Sequence, residues 1–132
     1  MSTEKPLSRN TLYNGKILKL HLDQVEIEGG KVTSREVVEH GGGVAILASA
    51  DGGNLLLVRQ YRHAAGQELL ELPAGKLELG EDPAACARRE LEEETGFRAE
   101  RVRELGHFYA SPGYTSELLY LYAADGLAPT AQ

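Results

Sequence analysis

Four glutamates crowd the end of one predicted helix: Glu90, Glu92, Glu93 and Glu94. The peptide dipoles of a helix leave partial negative charge at its carboxyl end, so each acidic side chain there costs roughly 0.3–1 kcal/mol. Acids three or four positions apart also repel each other by about 0.2–0.5 kcal/mol. The pattern therefore indicates that something positive, such as a metal ion, is bound at this end of the helix.

Three of these glutamates share one helical face, because spacings of three and four residues place side chains on the same side. Glu90, Glu93 and Glu94 present the oxygen ligands that Mg²⁺ and Mn²⁺ prefer. The alternative interpretation is a solvated acidic helix end, since charge runs usually face water. The unfavourable helix end, the glycines of the preceding loop and Arg89, which is placed to orient Glu93 at i+4, favour a metal site.

The helix that carries these acids has clear signals at both ends. Asp82 is a suitable N-cap, Pro83 suits the first helical position and Gly96 suits a left-handed exit. Small apolar side chains are predicted to face a sheet, namely Ala84, Ala87 and Leu91. Cys86, which lies among alanines, is predicted to be a small buried side chain.

Strands are predicted on both sides of this helix. Residues 11–40 alternate as an antiparallel ribbon, with a hairpin at Gly29-Gly30 and a bulge or bend where the alternation slips at Asp23-Gln24. Further strands are predicted at about 44–49, 55–61, 68–72, 101–110 and 118–123, followed by a frayed tail over 125–132. The successive apolar residues of 44–48 and 55–58 predict a sheet covered on both faces. Mixed strands around at least one helix predict an α/β or α+β sandwich.

Composition narrows the class of protein. The 132 residues suit one domain, and the net charge of −6 argues against nucleic acid held by a broad basic surface. The single cysteine, Cys86, excludes an internal disulfide framework and fits a reducing compartment. The amino-terminal segment has no apolar core typical of a signal peptide, and no apolar run approaches the ~20 residues that cross a bilayer. These features predict a cytoplasmic protein with no membrane partner.

The spacing within residues 75–97 resembles the Nudix box at every defined position of that motif. Nine fixed positions match: Gly75, Glu81, Arg89, Glu90, Leu91, Glu93, Glu94, Gly96 and Phe97. The chain is therefore similar to Nudix hydrolases, which cleave nucleoside diphosphates linked to another moiety. The resemblance implies an α/β/α sandwich with a mixed sheet and an N-terminal antiparallel β-ribbon, and a divalent metal held by the glutamates of the helix.

The resemblance also implies roles for individual residues. Glu90 and Glu94 are metal ligands, and Glu93 is either a further ligand or the group that orients water. Glu81 is a ligand or a partner of Arg89. The implied metal-binding set is Ala74 through its carbonyl, Glu81, Glu90 and Glu94, and the metal is Mg²⁺ or Mn²⁺. The implied catalytic set is Glu93, Glu90 and Arg89.

A longer stretch is similar to one subfamily, the ADP-ribose pyrophosphatases. The segment "LLLVRQYRHAAGQELLELPAGKLELGE" looks like the approach to the box in that subfamily, and Pro112 lies fifteen residues beyond Phe97, as its proline does. In that subfamily an N-terminal ribbon exchanges between two subunits. The likeness therefore implies a homodimer, with residues 1–40 as the exchanged ribbon and 41–132 as the catalytic domain. The residues implied to meet the substrate are Ile17 and Glu36 beside the adenine, Arg62 at the phosphates, and Glu78 at the substrate or the metal.

These residues also have simpler interpretations. Arg62 resembles an ordinary surface arginine at a strand end, Ile17 an ordinary ribbon core residue, and Glu36 a solvated strand charge. The function implied by the resemblance is hydrolysis of ADP-ribose to AMP and ribose 5-phosphate. Two alternatives remain: hydrolysis of another nucleoside diphosphate sugar such as GDP-mannose or ADP-glucose, and a nucleotide-binding module without turnover. The subfamily usually continues past residue 132 into a region that supplies an acidic loop, which favours the binding module.

Overall fold

The structure is a computed structural model that describes residues 3–131. Nine strands and one α-helix are present in this range. Their bounds are β1 Lys5–Asn14, β2 Leu18–Glu26, β3 Val32–His40, β4 Gly43–Ala48, β5 Val58–Arg62, β6 Gln67–Glu71, β7 Ala74–Lys76, α1 Pro83–Thr95, β8 Phe97–Tyr109 and β9 Leu118–Pro129. The chain forms two compact units: one runs up to Gly41 and includes Tyr109–Leu118, and the other comprises Gly42–Phe108 and the residues after Leu118.

The first unit contains a three-stranded antiparallel sheet in the order β1-β2-β3. The predicted hairpin at Gly29-Gly30 is confirmed, and both glycines adopt positive φ angles of 88° and 82°. The bulge predicted at Asp23-Gln24 is confirmed in the β1–β2 pairing, where the register shifts next to Gln24, although the β2–β3 ladder runs unbroken from Leu18 to Glu26. The extra residues lie on the partner strand β1, at Leu7 and Leu12.

A buried histidine joins the three strands of this sheet. His21 on β2 is only 4% exposed. Its Nδ1 lies 2.9 Å from the hydroxyl of Thr11 on β1, and its Nε2 lies 3.1 Å from a carboxylate oxygen of Glu39 on β3. Because a buried polar group is costly unless it is hydrogen-bonded, this side chain stabilises the ribbon only with both partners in place.

The loop between β8 and β9 belongs to the first unit. The backbone N–H of Val38 donates to the carbonyl of Tyr114, and the N–H of Ser116 donates to the carbonyl of Val38 at 3.0 Å. The hydroxyl of Thr115 also donates to the Val38 carbonyl, at 2.9 Å. Residues far apart in sequence therefore complete one compact unit.

The second unit is built on a four-stranded mixed sheet in the order β7-β4-β9-β8. Strands β4 and β9 run parallel, and β4 and β7 run antiparallel. Helix α1 packs on this sheet through Ala87 and Leu91, both essentially inaccessible to solvent, with Ala84 partly buried. The buried core comprises Val44, Ile46, Ala48, Cys86, Ala87, Leu91, Ala99, Tyr122 and Ala124. The predicted inner face of the helix, the burial of Cys86 and the mixed α+β class are confirmed.

The ends of α1 follow the predicted signals. The Asp82 carboxylate accepts from the N–H of Ala85 at 3.1 Å, and Pro83 occupies the first turn. Gly96 adopts a left-handed conformation with φ 74°, and its N–H donates to the carbonyl of Glu92. Within residues 3–131 no helix has the length and apolar character needed to cross a lipid bilayer.

Two predictions differ in extent from the structure. The strand predicted at 55–61 begins only at Val58, and Leu55, which forms an isolated bridge with Ser49, is 45% exposed rather than covered. The predicted frayed tail is largely ordered instead. Strand β9 extends to Pro129, and the N–H of Thr130 donates to the carbonyl of Gly96 at 2.8 Å.

Candidate metal and active site

The loop before α1 is held by the neighbouring strand. Ala74 and Gly75 on β7 pair with Ala45 and Val44 on β4. The fully buried Pro73 accepts a hydrogen bond at its carbonyl from the N–H of Ile46, at 2.8 Å. These contacts fix the backbone that faces the acidic end of the helix.

Gly75 makes room for a glutamate. A Cβ atom built at this position would overlap with Cγ and Cδ of Glu90. Because the overlap covers most of the Glu90 side chain, including the carboxyl carbon, a side chain at residue 75 would displace the Glu90 carboxylate. The absence of a side chain at Gly75 therefore sets the position of one predicted metal ligand.

Arg89 lies at the centre of the acidic cluster. Its Nε and Nη2 donate to the two carboxylate oxygens of Glu81, both at 3.0 Å. Its Nη1 donates to Glu90 at 2.9 Å and to Glu93 at 3.3 Å. Glu78, whose side chain is 76% exposed, lies 3.9 Å from Nη2. Part of the positive charge that the helix end requires is thus supplied by the protein itself.

The pairing with Arg89 changes the acidity of Glu81. Hydrogen bonds from Arg89 and from the N–H of Glu78 lower the pKa of Glu81 to about 2. The same pair raises the pKa of Arg89. Both groups are therefore charged throughout the ordinary pH range, and the Glu81–Arg89 pair is a permanent part of the site.

Glu94 behaves differently. Its Oε2 accepts from the N–H of Ala74 at 3.2 Å, which joins the helix to β7. Partial burial of the carboxyl group raises the pKa of Glu94. The Ala74 N–H opposes this rise, whereas the negative charge of Glu90 adds to it. A cation close to Glu90 and Glu94 would relieve this repulsion.

The donor set fits a hard divalent cation. Two guanidinium groups, those of Arg62 and Arg89, face six carboxylates: Glu71, Glu78, Glu81, Glu90, Glu93 and Glu94. An excess of formal negative charge on oxygen ligands is the chemistry that Mg²⁺-like ions prefer. In the part of the chain that the structure describes, no three of these acids converge as a ready metal cage. Glu90 and Glu94 are instead held by Arg89 and by the Ala74 N–H.

The remaining predicted substrate residues lie in different units. Arg62 belongs to the second unit, where its guanidinium binds Glu71, a residue that sequence reasoning did not single out. Ile17 and Glu36 belong to the first unit: Ile17 is 60% exposed before β2, and Glu36 is an exposed residue opposite Leu22. Their contact with an adenine stays a prediction.

Comparison with known proteins decides the family. A family model described as the NUDIX domain matches residues 39–131. The chain belongs to the NUDIX family. Nudix hydrolases generally need a divalent metal ion, in keeping with the donor set of this site.

Named relatives lie within this family. The ADP-ribose pyrophosphatase of Bacillus subtilis (strain 168) is 41% identical over 125 residues, which are 95% of this chain and 68% of that protein. The ADP-ribose pyrophosphatase of Mycobacterium tuberculosis (strain ATCC 25618 / H37Rv) is 47% identical over 122 residues, 92% of this chain and 59% of that protein. The chain thus spans about three-fifths to two-thirds of the length of these relatives.

A solved structure supports the same fold. The crystal structure of an ADP compounds hydrolase matches with a TM-score of 0.86 and 24% identity, over 98% of this chain and 71% of that one. At this level of identity the match establishes the architecture, and the Nudix fold predicted from residues 75–97 is confirmed.

The Glu81–Arg89 pair gives a pH-dependent prediction. Because the folded-state pKa of Glu81 is lowered from 4.5 to about 2, its contribution to stability is fully present above pH 4.5 and is lost as the pH falls towards 2. We expect Glu81→Gln to unfold at lower urea concentration than the wild type at pH 6, and the gap between their midpoints to narrow at pH 3.5. A gap that is equal or larger at pH 3.5 would contradict the pairing.

Proposed function

We propose that this chain is a metal-dependent pyrophosphohydrolase that converts ADP-ribose to AMP and ribose 5-phosphate. The observation that carries the proposal is the cluster of carboxylates around Arg89. A second guanidinium, that of Arg62, interacts electrostatically with Glu94. The names of the two relatives support ADP-ribose as the substrate.

The reaction adds water across the phosphate bridge. One oxygen–phosphorus bond forms, the bridging bond breaks, and the two products share the atoms of the water. A bound divalent ion supplies charge neutralisation and lowers the pKa of water that it binds. We propose that Glu90, Glu94 and the carbonyl of Ala74, with Glu81 as a further ligand or as the partner of Arg89, hold that ion.

The other residues have positioning and binding roles in this proposal. Glu93 orients the attacking water. Its carboxylate accepts a hydrogen bond from Arg89 at 3.3 Å, and its side chain is 59% exposed to solvent. Arg89 keeps Glu90 in place through the 2.9 Å hydrogen bond. Arg62 binds the phosphates through N–H donors of its guanidinium. Glu78 meets the substrate or the metal, and Ile17 and Glu36 meet the adenine.

The proposal also covers the identity of the metal ion, the oligomeric state and the cellular location. We infer Mg²⁺ or Mn²⁺ as the ion, because the predicted ligands are all oxygens. We infer a homodimer, supported by the edge strand β1, which is exposed along its whole length and carries Leu7, Leu12 and Tyr13 near 47–61% exposure. A cytoplasmic location is supported by the single, unpaired cysteine.

The direct test is a substrate panel. The protein is incubated with Mg²⁺ and with ADP-ribose, GDP-mannose or ADP-glucose, and nucleoside monophosphate release is measured by chromatography. We expect AMP from ADP-ribose at the highest kcat/KM. Faster release of GMP from GDP-mannose would move the assignment to another nucleoside diphosphate sugar. Tight binding of ADP-ribose without any AMP would identify a binding module.

A further inference from the structure

The backbone of Arg62 lies at one end of the β5–β6 hairpin, and its guanidinium binds a residue at the other end, Glu71. Arg62 pairs with Gln67 beside the tight turn, whereas Glu71 pairs with Val58 at the open end. Gln67 and Glu71 are four positions apart along β6, about 13 Å at ~3.3 Å per residue. Arg62 and Glu71 share a face of the hairpin, since directly paired residues lie on one side and the side alternates along each strand. The side chain of Arg62 therefore runs back along that face.

The guanidinium is clamped on one edge. Its Nε and Nη2 donate to the two carboxylate oxygens of Glu71, each at 2.7 Å. Glu71 is three residues before Ala74, whose N–H binds Glu94. Hydrogen bonding to Glu71 raises the pKa of Arg62, and the charge of Glu94 adds to this effect. The clamp thus holds the guanidinium where its charge interacts with that of Glu94 on α1.

One edge of the guanidinium stays available. A guanidinium has five N–H donors in a fixed plane, and the Glu71 carboxylate uses one from Nε and one from Nη2. The outer edge, with Nη1 and the second N–H of Nη2, makes no hydrogen bond within residues 3–131. The Arg62 side chain is 47% exposed, so a large part of it is in contact with solvent. An anion with two oxygens, such as a phosphate, matches its geometry.

We propose that Glu71 is a positioning residue that presents the outer edge of Arg62 to a phosphate of the substrate. This inference rests on the proposed function and assigns Glu71 a role through Arg62, without direct contact to substrate. Because Glu71 already neutralises the guanidinium, its main contribution is direction rather than charge. Its loss frees the Arg62 side chain to return to the hairpin tip, which weakens substrate binding more than it slows the chemical step.

The test compares four variants: Glu71→Gln, Glu68→Gln, Arg62→Lys and the Glu71→Gln/Arg62→Lys pair. Glu68 is an exposed residue on the opposite face of the same strand and serves as the matched control. Kinetic constants for ADP-ribose are measured with Mg²⁺. The dissociation constant for ADP-ribose is measured by calorimetry in EDTA, where the bound ligand is not turned over. Thermal unfolding midpoints check the fold.

We expect Glu71→Gln to raise KM and the dissociation constant about tenfold, with kcat within twofold of the wild type. Glu68→Gln should match the wild type. Lysine has no planar fork, so Glu71→Gln should change KM less than twofold in the Arg62→Lys background. Unchanged KM in Glu71→Gln, the same rise in both backgrounds, or a fall in kcat that follows a lower unfolding midpoint would overturn the positioning role.

The same measurements separate this role from the proposed function. A wild type that binds ADP-ribose and releases no AMP refutes hydrolysis, and the dissociation constants of the variants then decide the role of Glu71. A wild type that neither hydrolyses nor binds ADP-ribose overturns both proposals.

Discussion

Glu93→Gln is expected to lower kcat for ADP-ribose about a thousandfold while leaving the fold intact, within the range that a positioned acid or base contributes to catalysis. The substitution keeps the shape of the side chain and removes its charge, so water near residue 93 loses a strong hydrogen-bond acceptor. Stability should hardly change, because an exposed i,i+4 pair such as Arg89–Glu93 is worth at most about 0.5 kcal/mol. Single-turnover kinetics with Mg²⁺ measure the chemical step directly.

The chain offers a matched control beside this residue. Glu92 has the same chemistry and lies at the same helix end, but it does not share the face of Glu90, Glu93 and Glu94. Glu92→Gln should therefore keep kcat within twofold of the wild type. Equal losses in both variants would show that general charge at the helix end matters, not the carboxylate of Glu93.

Gly75→Ala is expected to reduce kcat/KM at least about a hundredfold and to weaken Mn²⁺ binding. The added methyl group overlaps with Cγ, Cδ and Oε1 of Glu90, so this side chain must rotate away from β7. Forcing a methyl group into a filled space typically costs about 1–3 kcal/mol of stability. Manganese titration by electron paramagnetic resonance, together with urea unfolding, measures both effects.

Two comparisons isolate the cause of that loss. Gly41→Ala adds a methyl group where no atom lies within 4 Å, and it should be close to neutral. In a Glu90→Ala background, Gly75→Ala should cost much less stability than in the wild type, because the overlapping side chain is absent. An equal cost in both backgrounds would place the strain in the backbone of β7 and remove the explanation.

Local signals made α1 predictable from the sequence. Asp82, Pro83 and Gly96 act within a few residues of the helix ends, so their effect does not depend on distant partners. The buried stripe of Ala87 and Leu91 follows from helical periodicity alone. The shared face of Glu90, Glu93 and Glu94 likewise follows from helical spacing, whereas the pairing of Glu81 with Arg89 is implied only by the resemblance of residues 75–97 to the Nudix box.

Features that depend on pairing between distant strands were not predictable. Strand β9 continues to Pro129, beyond the end of its pairing with β4 at Ala124, because β8 flanks it on the other side, although Gly126 and Pro129 suggest a loop. The extra residues of the ribbon lie on β1, where no interruption of the apolar pattern marks them. The link from Arg62 to Glu71 depends on the register of the hairpin and on the direction of a long side chain, and the sequence specifies neither.

The loop after β8 is hydrogen-bonded to β3, and this limits where the chain can be truncated. A truncated gene product starting at Gly42 would leave the amide of Ser116 and the carbonyl of Tyr114 without the Val38 groups that now satisfy them. Removing the amino-terminal strands would therefore damage a segment encoded more than seventy codons downstream. Any minimal version of the second unit needs a redesigned connection between β8 and β9, not a simple cut.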